Sequence, residues 1–357
     1  MSGGTRTAMP HGGDTLSFQE RYGRMPLDFS ASTNPYGLAP SARAAIVAAL
    51  DEADCYPDMR CRKLTTAIAR HEGMAAELVV CGNGASDLIE RLARTFAGKR
   101  ALVCAPTFSE YEAALAREGC TVLHHHLRAE EGFALTRRVL AQLDGVDIVF
   151  LCEPNNPTGR VSRRGLLEEV LACCEAQGTL LVVDECFNGF LEHPQEHSLR
   201  ACLPGSRNLV VLDAFTKLYG MAGVRLGYAL CGSEPLARRL REAGLPWGVS
   251  SLAQAAGEAA LADGGYVGQT RALVARERKR IEECLCELGC TVYPSQANYL
   301  LFFSSAPGLF EALAAEGVLV RDCANFEGLG PGHYRVAVRL PQENDELLRA
   351  MARVLEG

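Results

Sequence analysis

Short apolar runs and helix-period segments alternate through the middle of this chain. The apolar runs fall at about 78–81, 101–104, 121–124, 147–152, 179–183, 209–213 and 226–231. Between them, at about 61–72, 85–97, 109–118, 136–142 and 163–177, apolar residues recur every three or four positions. Strands that are apolar without alternation are those covered on both faces. Alternating with helices, they predict an α/β fold with a mostly parallel sheet flanked by helices. Upstream, Leu27–Ala31 reads as a short strand closed by a turn at Asn34, Pro35 and Gly37. A helix then runs from Pro40 to about Leu50, with Ser41 as its N-cap.

Beyond residue 232 the texture changes. Long helical stretches at 233–243, 251–263 and 267–288 lead into strand-like runs at 291–293, 298–303, 317–321 and 334–339, then a last helix at 342–355. The pattern divides the chain into a large domain, 46–235, and a smaller α+β domain, 236–357. Residues 1–45 are too few to hold a core of their own, so they are expected to pack on the small domain or on a partner subunit.

Composition narrows the class. The chain has 357 residues, 48% hydrophobic and 22% charged, with a net charge of −7, which suits a globular enzyme-sized chain and gives no reason to expect nucleic acid or a membrane surface as partner. The longest apolar stretches are strand-sized, and no stretch near the start has signal-peptide length, so a cytoplasmic protein is expected. Fifteen cysteines occur without a CxxC pair, mostly inside apolar runs, as Cys81, Cys104, Cys152 and Cys231 are. They read as small buried thiols in a reducing compartment. Neither Cys284, Cys286 and Cys290 nor His124–His126 has convincing ligand geometry, and no metal is expected.

In a parallel α/β sheet, ligands gather at the carboxyl ends of strands, and four loops there carry unusual residues. G-N-G-A-S-D, at 82–87, opens a helix with two glycines and free amides, a form that cradles phosphate. E-P-N-N-P-T-G, at 153–159, has more turn-forming residues than a connection needs and offers the amides of Asn155 and Asn156. D-E-C-F, at 184–187, sets Asp184 at the end of a buried strand, where a carboxylate needs a partner. The fourth loop holds Thr216, Lys217 and Arg225. A phosphate cradle, an amide donor, an acid and a lysine at one sheet edge match the needs of pyridoxal phosphate. The lysine meets its aldehyde, and the acid keeps its ring nitrogen protonated so that the ring accepts electrons.

E-P-N-N-P-T-G, D-E-C-F and F-T-K-L-Y-G-M-A-G-V-R-L-G-Y (215–228) resemble the signatures of the class I/II aminotransferase-like, fold-type I pyridoxal-phosphate enzymes. The resemblance implies that Lys217 carries the cofactor, Asp184 meets its pyridine nitrogen and Asn156 its phenolic oxygen. It implies that Asn83, Gly84, Ala85, Thr216 and Arg225 hold the phosphate. Tyr111, in P-T-F-S-E-Y, matches an aromatic stacked on the ring, and Tyr56, in Y-P-D, one lent across a homodimer with shared active sites.

Within that family two branches resemble the chain, histidinol-phosphate aminotransferases and the threonine-phosphate decarboxylases of cobalamin biosynthesis. H-G-G at 11–13, L-D-F-S-A-S-T-N-P-Y-G at 27–37, L-P-W-G-V-S-S-L-A at 245–253 and R-D-C-A-N-F-E-G-L-G-P-G-H-Y-R-V-A-V-R at 321–339 look more like the decarboxylases. So does Phe187, where many aminotransferases have tyrosine. The implied substrate is O-phospho-L-threonine or a close phospho-amino acid, contacted by His11, Gly12, Ser32, Asn156, Arg321 and Arg335. Arg335 would take the carboxylate and Arg321 the phosphate. Two positions depart from the pattern. Ser32 stands where the decarboxylases have asparagine, and Ala214 where a hydroxyl residue usually assists the cofactor phosphate.

Overall fold

The computed structural model describes residues 11–356. In chain order the helices are α1 (Thr15–Tyr22), α2 (Pro40–Ala49), α3 (Arg62–Glu72), α4 (Gly84–Thr95), α5 (Glu110–Arg117), α6 (Arg164–Gln177), α7 (Phe215–Leu218), α8 (Glu234–Glu242), α9 (Ser251–Leu261), α10 (Gly264–Glu287), α11 (Leu309–Ala315) and α12 (Pro341–Glu356). The strands are β1 (Leu27–Asp28), β2 (Val79–Gly82), β3 (Arg100–Ala105), β4 (Thr121–His126), β5 (Ile148–Cys152), β6 (Leu180–Asp184), β7 (Leu209–Ala214), β8 (Gly227–Cys231), β9 (Thr291–Val292), β10 (Tyr299–Phe303), β11 (Val318–Leu319), β12 (Arg321–Asp322) and β13 (His333–Ala337).

Seven strands form the large sheet in the order β2-β8-β7-β6-β5-β3-β4. β8 runs antiparallel to both neighbours, and every other pairing in this sheet is parallel. Residues 148–152 and 180–184 are buried throughout, the condition that their unbroken apolar runs anticipate. Alternate residues of those strands enter two separate cores. Val149, Leu181, Val183 and Val211 pack with α3, α9 and Tyr228. Phe150, Val182 and Leu212 pack with α4, α5 and α8. α8 starts at the boundary expected at 235 and α9 lies beyond it, yet both pack on this sheet.

The second sheet, β12-β13-β10-β9, is antiparallel, and its core takes in α10, α11 and α12. The strand expected at 317–321 is split. β11 leaves to pair in parallel with β1, while β12 pairs with β13. Through β1 and Phe29, the N-terminal segment is built into this smaller core. Two local expectations are corrected. Residues 137–142 form a 3₁₀ turn rather than an α-helix. Ser41 lies inside α2, where its hydroxyl reaches Asp263 at 3.0 Å, and Ala39 is the cap residue.

Candidate active site

The carboxyl ends of β2, β5, β6 and β7 face one edge of the large sheet, and each hands over one of the loops picked out above. Asp184 is the last residue of β6, buried and satisfied on both oxygens. It accepts the Tyr111 hydroxyl at 2.6 Å and the Cys186 amide at 3.0 Å. Burial and the adjoining Asp184 push the Tyr111 hydroxyl well above its ordinary range, so it stays a donor. Each carboxylate oxygen keeps a further lone pair for a ring nitrogen.

Lys217 sits in the single turn of α7, just beyond β7. Its ammonium lies over the Phe187 ring, 5.2 Å from the centroid. Burial and the facing Arg335, with a smaller contribution from Arg225, lower its amine from 10.5 to about 8; Cys186 and Asp184 act in the opposite sense. The lysine loop is pinned from the N-terminal segment, since the Asn34 amide donates to the Lys217 carbonyl at 3.0 Å and the Asn34 side chain to the Leu218 carbonyl.

Arg335 and Arg321 face each other across the β12–β13 ladder, and both are buried, with 6% of their surface exposed. Directly opposed like charges destabilise a ladder, so the pair points to anionic groups that this pocket receives. Arg335 donates to the Asn156 Oδ1 and, at 2.8 Å, to the Ser30 carbonyl; it lies 5.2 Å from the Tyr299 ring centroid. Its Nε is buried with no hydrogen-bond partner. Since Asn156 spends its oxygen on Arg335, its side-chain amide is left as a donor. Arg321 donates to the Asp322 carbonyl at 2.6 Å and to Asn325 at 2.8 Å, and packs on Phe326.

The strap at 11–13 lies against Ser30, whose carbonyl Arg335 also meets. A Cβ on Gly12 would stand 2.1 Å from the Ser30 carbonyl oxygen, and the Gly13 amide donates to the Ser30 hydroxyl at 2.8 Å. Glycine is needed because the strap crosses so close. His11 pairs with Glu110 at 3.3 Å on the more exposed rim. Ser32 is 1% exposed, and its hydroxyl has no partner.

On the phosphate side, Gly84 begins α4 at φ +80°, and a Cβ there would stand 2.7 Å from Arg225 Nη2. Arg225, itself at φ +64°, therefore lies against the first turn of a twelve-residue helix whose opening amides lack helical partners. Ala85 adjoins Gly227, where a Cβ would meet the Ala85 nitrogen at 2.7 Å. The Asn83 amide departs from expectation, because it is already donated to Asp87 at 2.8 Å. Thr216 is half-buried beside Lys217, and Ala214 is buried at the start of the turn. Tyr56 stands apart, 83% exposed, its ring 5.0 Å from that of Trp247.

These donors fit pyridoxal phosphate: a cradle that only glycine leaves open, a carboxylate with spare lone pairs, a free amide and a lysine with a lowered pKa. Tyr111 differs in one respect. It is fully enclosed, stacked on Phe150 at 5.1 Å, whereas Phe108, edge-on to it at 5.5 Å, is only half-buried. Phe108 is thus the loop's open aromatic surface; P-T-F-S-E-Y signals two aromatics there without telling which ring is open. Also missed were the thiols of Cys152 and Cys186, which lie close to Asp184. Their apolar surroundings made them read as filler. Among the described residues no cluster of metal-ligating side chains occurs, and no helix is long and apolar enough to cross a membrane.

The chain is similar to known proteins over most of its length. The family model described as Aminotransferase class I and II matches residues 24–351. The threonine-phosphate decarboxylase of Salmonella typhimurium is 37% identical over 354 residues, covering 97% of each chain. The histidinol-phosphate aminotransferase of Symbiobacterium thermophilum is 36% identical over 332 residues, covering 90% of this chain and 88% of its own. The crystal structure of histidinol-phosphate aminotransferase from Sinorhizobium meliloti in complex with pyridoxal-5'-phosphate superposes with a TM-score of 0.85 at 25% identity, over 96% of this chain and 94% of that one.

Proposed function

Because the chain belongs to the class I and II aminotransferase family, with pyridoxal phosphate as cofactor, we propose that it decarboxylates O-phospho-L-threonine, or a close phospho-amino acid. The product is the aminoalkyl phosphate, used for the side chain of cobalamin. The observation that carries this reading is the opposed, buried pair Arg321 and Arg335. Two guanidinium groups that close favour a ligand with two anionic ends, and an α-carboxylate and a phosphate supply them. The 37% identical decarboxylase supports the same choice.

Pyridoxal phosphate, when bound, supplies an aldehyde that captures amines and a ring that withdraws electrons from bonds to the α-carbon. Asp184 meets the ring nitrogen, Asn156 donates to the phenolic oxygen, and Arg225 with the Gly84–Ala85 amides holds the phosphate. Phe108 offers the stacking surface. Arg335 grips the substrate carboxylate and Arg321 its phosphate, while Ser32 and the His11–Gly12 strap close the near side. Their task is orientation, because the angle at which the carboxylate is held decides whether it leaves or a proton does. Lys217, with an amine near 8, can deliver a proton to the α-carbon once carbon dioxide has gone. Phe187, in place of a hydroxyl residue, sets a ring without a donor beneath that amine.

A homodimer is part of this proposal. Tyr56 and Trp247 are in ring contact, and they and their sequence neighbours Met59 and Leu245 are exposed apolar residues, at 83%, 48%, 57% and 78%. Tyr56 can then reach the phosphate of the neighbouring subunit. The second reading, amino transfer from histidinol phosphate, is supported by the 36% identical aminotransferase.

The deciding experiment supplies O-phospho-L-threonine and cofactor with no keto acid. Release of carbon dioxide and amine, abolished in Lys217→Ala, is expected. Amino transfer from histidinol phosphate to 2-oxoglutarate, without carbon dioxide from phosphothreonine, would replace the first reading by the second.

A further inference from the structure

Behind the site, on the other face of the sheet, lies a polar cluster that the reaction does not use. Arg200 donates through Nη1 to both oxygens of Glu72, at 2.7 and 2.8 Å, through Nε to Glu185 at 3.0 Å, and through Nη2 to Asp213. Glu72 ends α3, Glu185 follows β6, and Asp213 lies in β7. Tyr228, of β8, reaches Glu72 at 2.7 Å and Asp213 at 3.2 Å. Glu185 is fully buried and also takes the Ser198 hydroxyl, the Leu199 amide and the Asn188 side chain. One guanidinium thus ties together α3, the end of β6 and β7, and Tyr228 adds β8 through the same carboxylates.

The position of this tie relates it to the site. Successive strand residues point to opposite faces, so Glu185 is the rear-facing neighbour of Asp184. Asp213 stands four residues before Lys217, and its second oxygen accepts the Ala214 amide at 2.6 Å, which anchors the residue where β7 turns into α7. The Glu185 amide donates to the Leu212 carbonyl at 2.8 Å, so the β6–β7 ladder runs on past Asp184.

We propose that Arg200 is a positioning residue, which locks the carboxyl ends of β6 and β7 so that Asp184 and Lys217 are presented together at one depth. A purely structural need would be met more cheaply by apolar packing, because a cluster of three carboxylates and one guanidinium carries a heavy desolvation cost. The fork of Arg200 instead fixes angles, and the elements it fixes are those that deliver the acid and the lysine. Freed from that lock, the α7 turn would loosen and more water would reach the Lys217 amine. That amine faces Arg335 and Arg225 as cations, and Asp184 and Cys186 as the opposing groups. Rehydration would weaken the largest cause of its lowered pKa.

The test uses Arg200→Met and Arg200→Lys. On cofactor-free protein, acylation of Lys217 is followed against pH by peptide mass spectrometry; the holoenzyme gives kcat, KM and Tm. Arg200→Met is expected to raise the acylation midpoint by about one unit above the starting value near 8. It should lower kcat by more than about tenfold, with KM changed less than about threefold. Arg200→Lys should recover part of both effects. A lower Tm with unchanged midpoint and unchanged kcat would overturn the proposal and leave only a structural tie. Should Arg200→Met fail to fold, Asp213→Asn replaces it, with a smaller rise of the midpoint expected and none overturning the idea. The acylation readout involves no substrate, so its failure is separable from failure of the decarboxylase reading.

Discussion

At the scale of single residues, Arg335 is the most exacting position. It contacts Asn156, the Ser30 carbonyl and the Tyr299 ring while keeping Nε unpaired. A lysine there would keep the charge but lose the fork. Arg335→Lys is expected to lower kcat/KM for the phospho-amino acid by roughly two orders of magnitude, the range for one charge-assisted contact in a closed site. Cofactor binding, followed by its visible absorbance, should change little, because the residues assigned to the cofactor phosphate stand elsewhere. Loss of both together would mean that Arg335 holds the fold rather than the substrate. Much at this scale was legible in the chain. Lys217, Asp184 and Asn156 are polar residues in loops that follow apolar strands, Arg225 lies just ahead of one, and those loops read together, with the family resemblance, mark them. Phe108 was not legible, since one sequence cannot show which of two aromatics in a loop leaves its ring uncovered.

The element proposed to carry the cofactor phosphate is the start of α4, where helix and loop meet Arg225 at close quarters. Gly84→Ala would place a methyl group against the guanidinium and force a non-glycine residue to φ +80°, which costs about 1 kcal/mol in backbone conformation alone. The expected outcome is cofactor affinity weakened about tenfold in a fluorescence titration, for a loss near 1.4 kcal/mol, with Tm of the cofactor-free protein lowered only slightly. Ala214→Ser tests the same cup in the other direction. The added hydroxyl at the β7–α7 junction should tighten the cofactor, and unchanged affinity would show that Arg225 and the α4 amides already suffice. The strands of the large sheet were readable because burial on both faces leaves an unbroken apolar run. The split of 317–321 into β11 and β12 was not, because Val318 is drawn to Leu27 near the other end of the chain while Arg321 pairs with the nearby Arg335.

For the molecule as a whole, the proposed homodimer rests on the apolar group around Tyr56. Leu245 is 78% exposed in the single chain, so Leu245→Glu should leave an isolated protomer folded. In a dimer that covers this patch it buries an unpaired carboxylate, a penalty of several kcal/mol. Sedimentation is expected to show dimers for the parent chain and monomers for the variant, with activity falling alongside. A variant that stays dimeric and active would place the interface elsewhere and withdraw Tyr56 from the site.

What the amino-acid order determined by itself was local and periodic. Apolar spacing marked the strands and helices, and turn-rich loops at strand ends gave the lysine, the acid, the amide and the phosphate cradle. Spacing carries such information because a strand buried on both faces and a helix with one apolar side impose their own repeats. Tertiary structure decided everything that depends on residues distant in sequence. Arg200 meets Glu72 across 128 positions, and Arg335 meets Asn156 across 179. It also decided that α8 and α9 cover the large sheet, because packing is settled by which faces fit together and no repeat in the sequence encodes the identity of the partner.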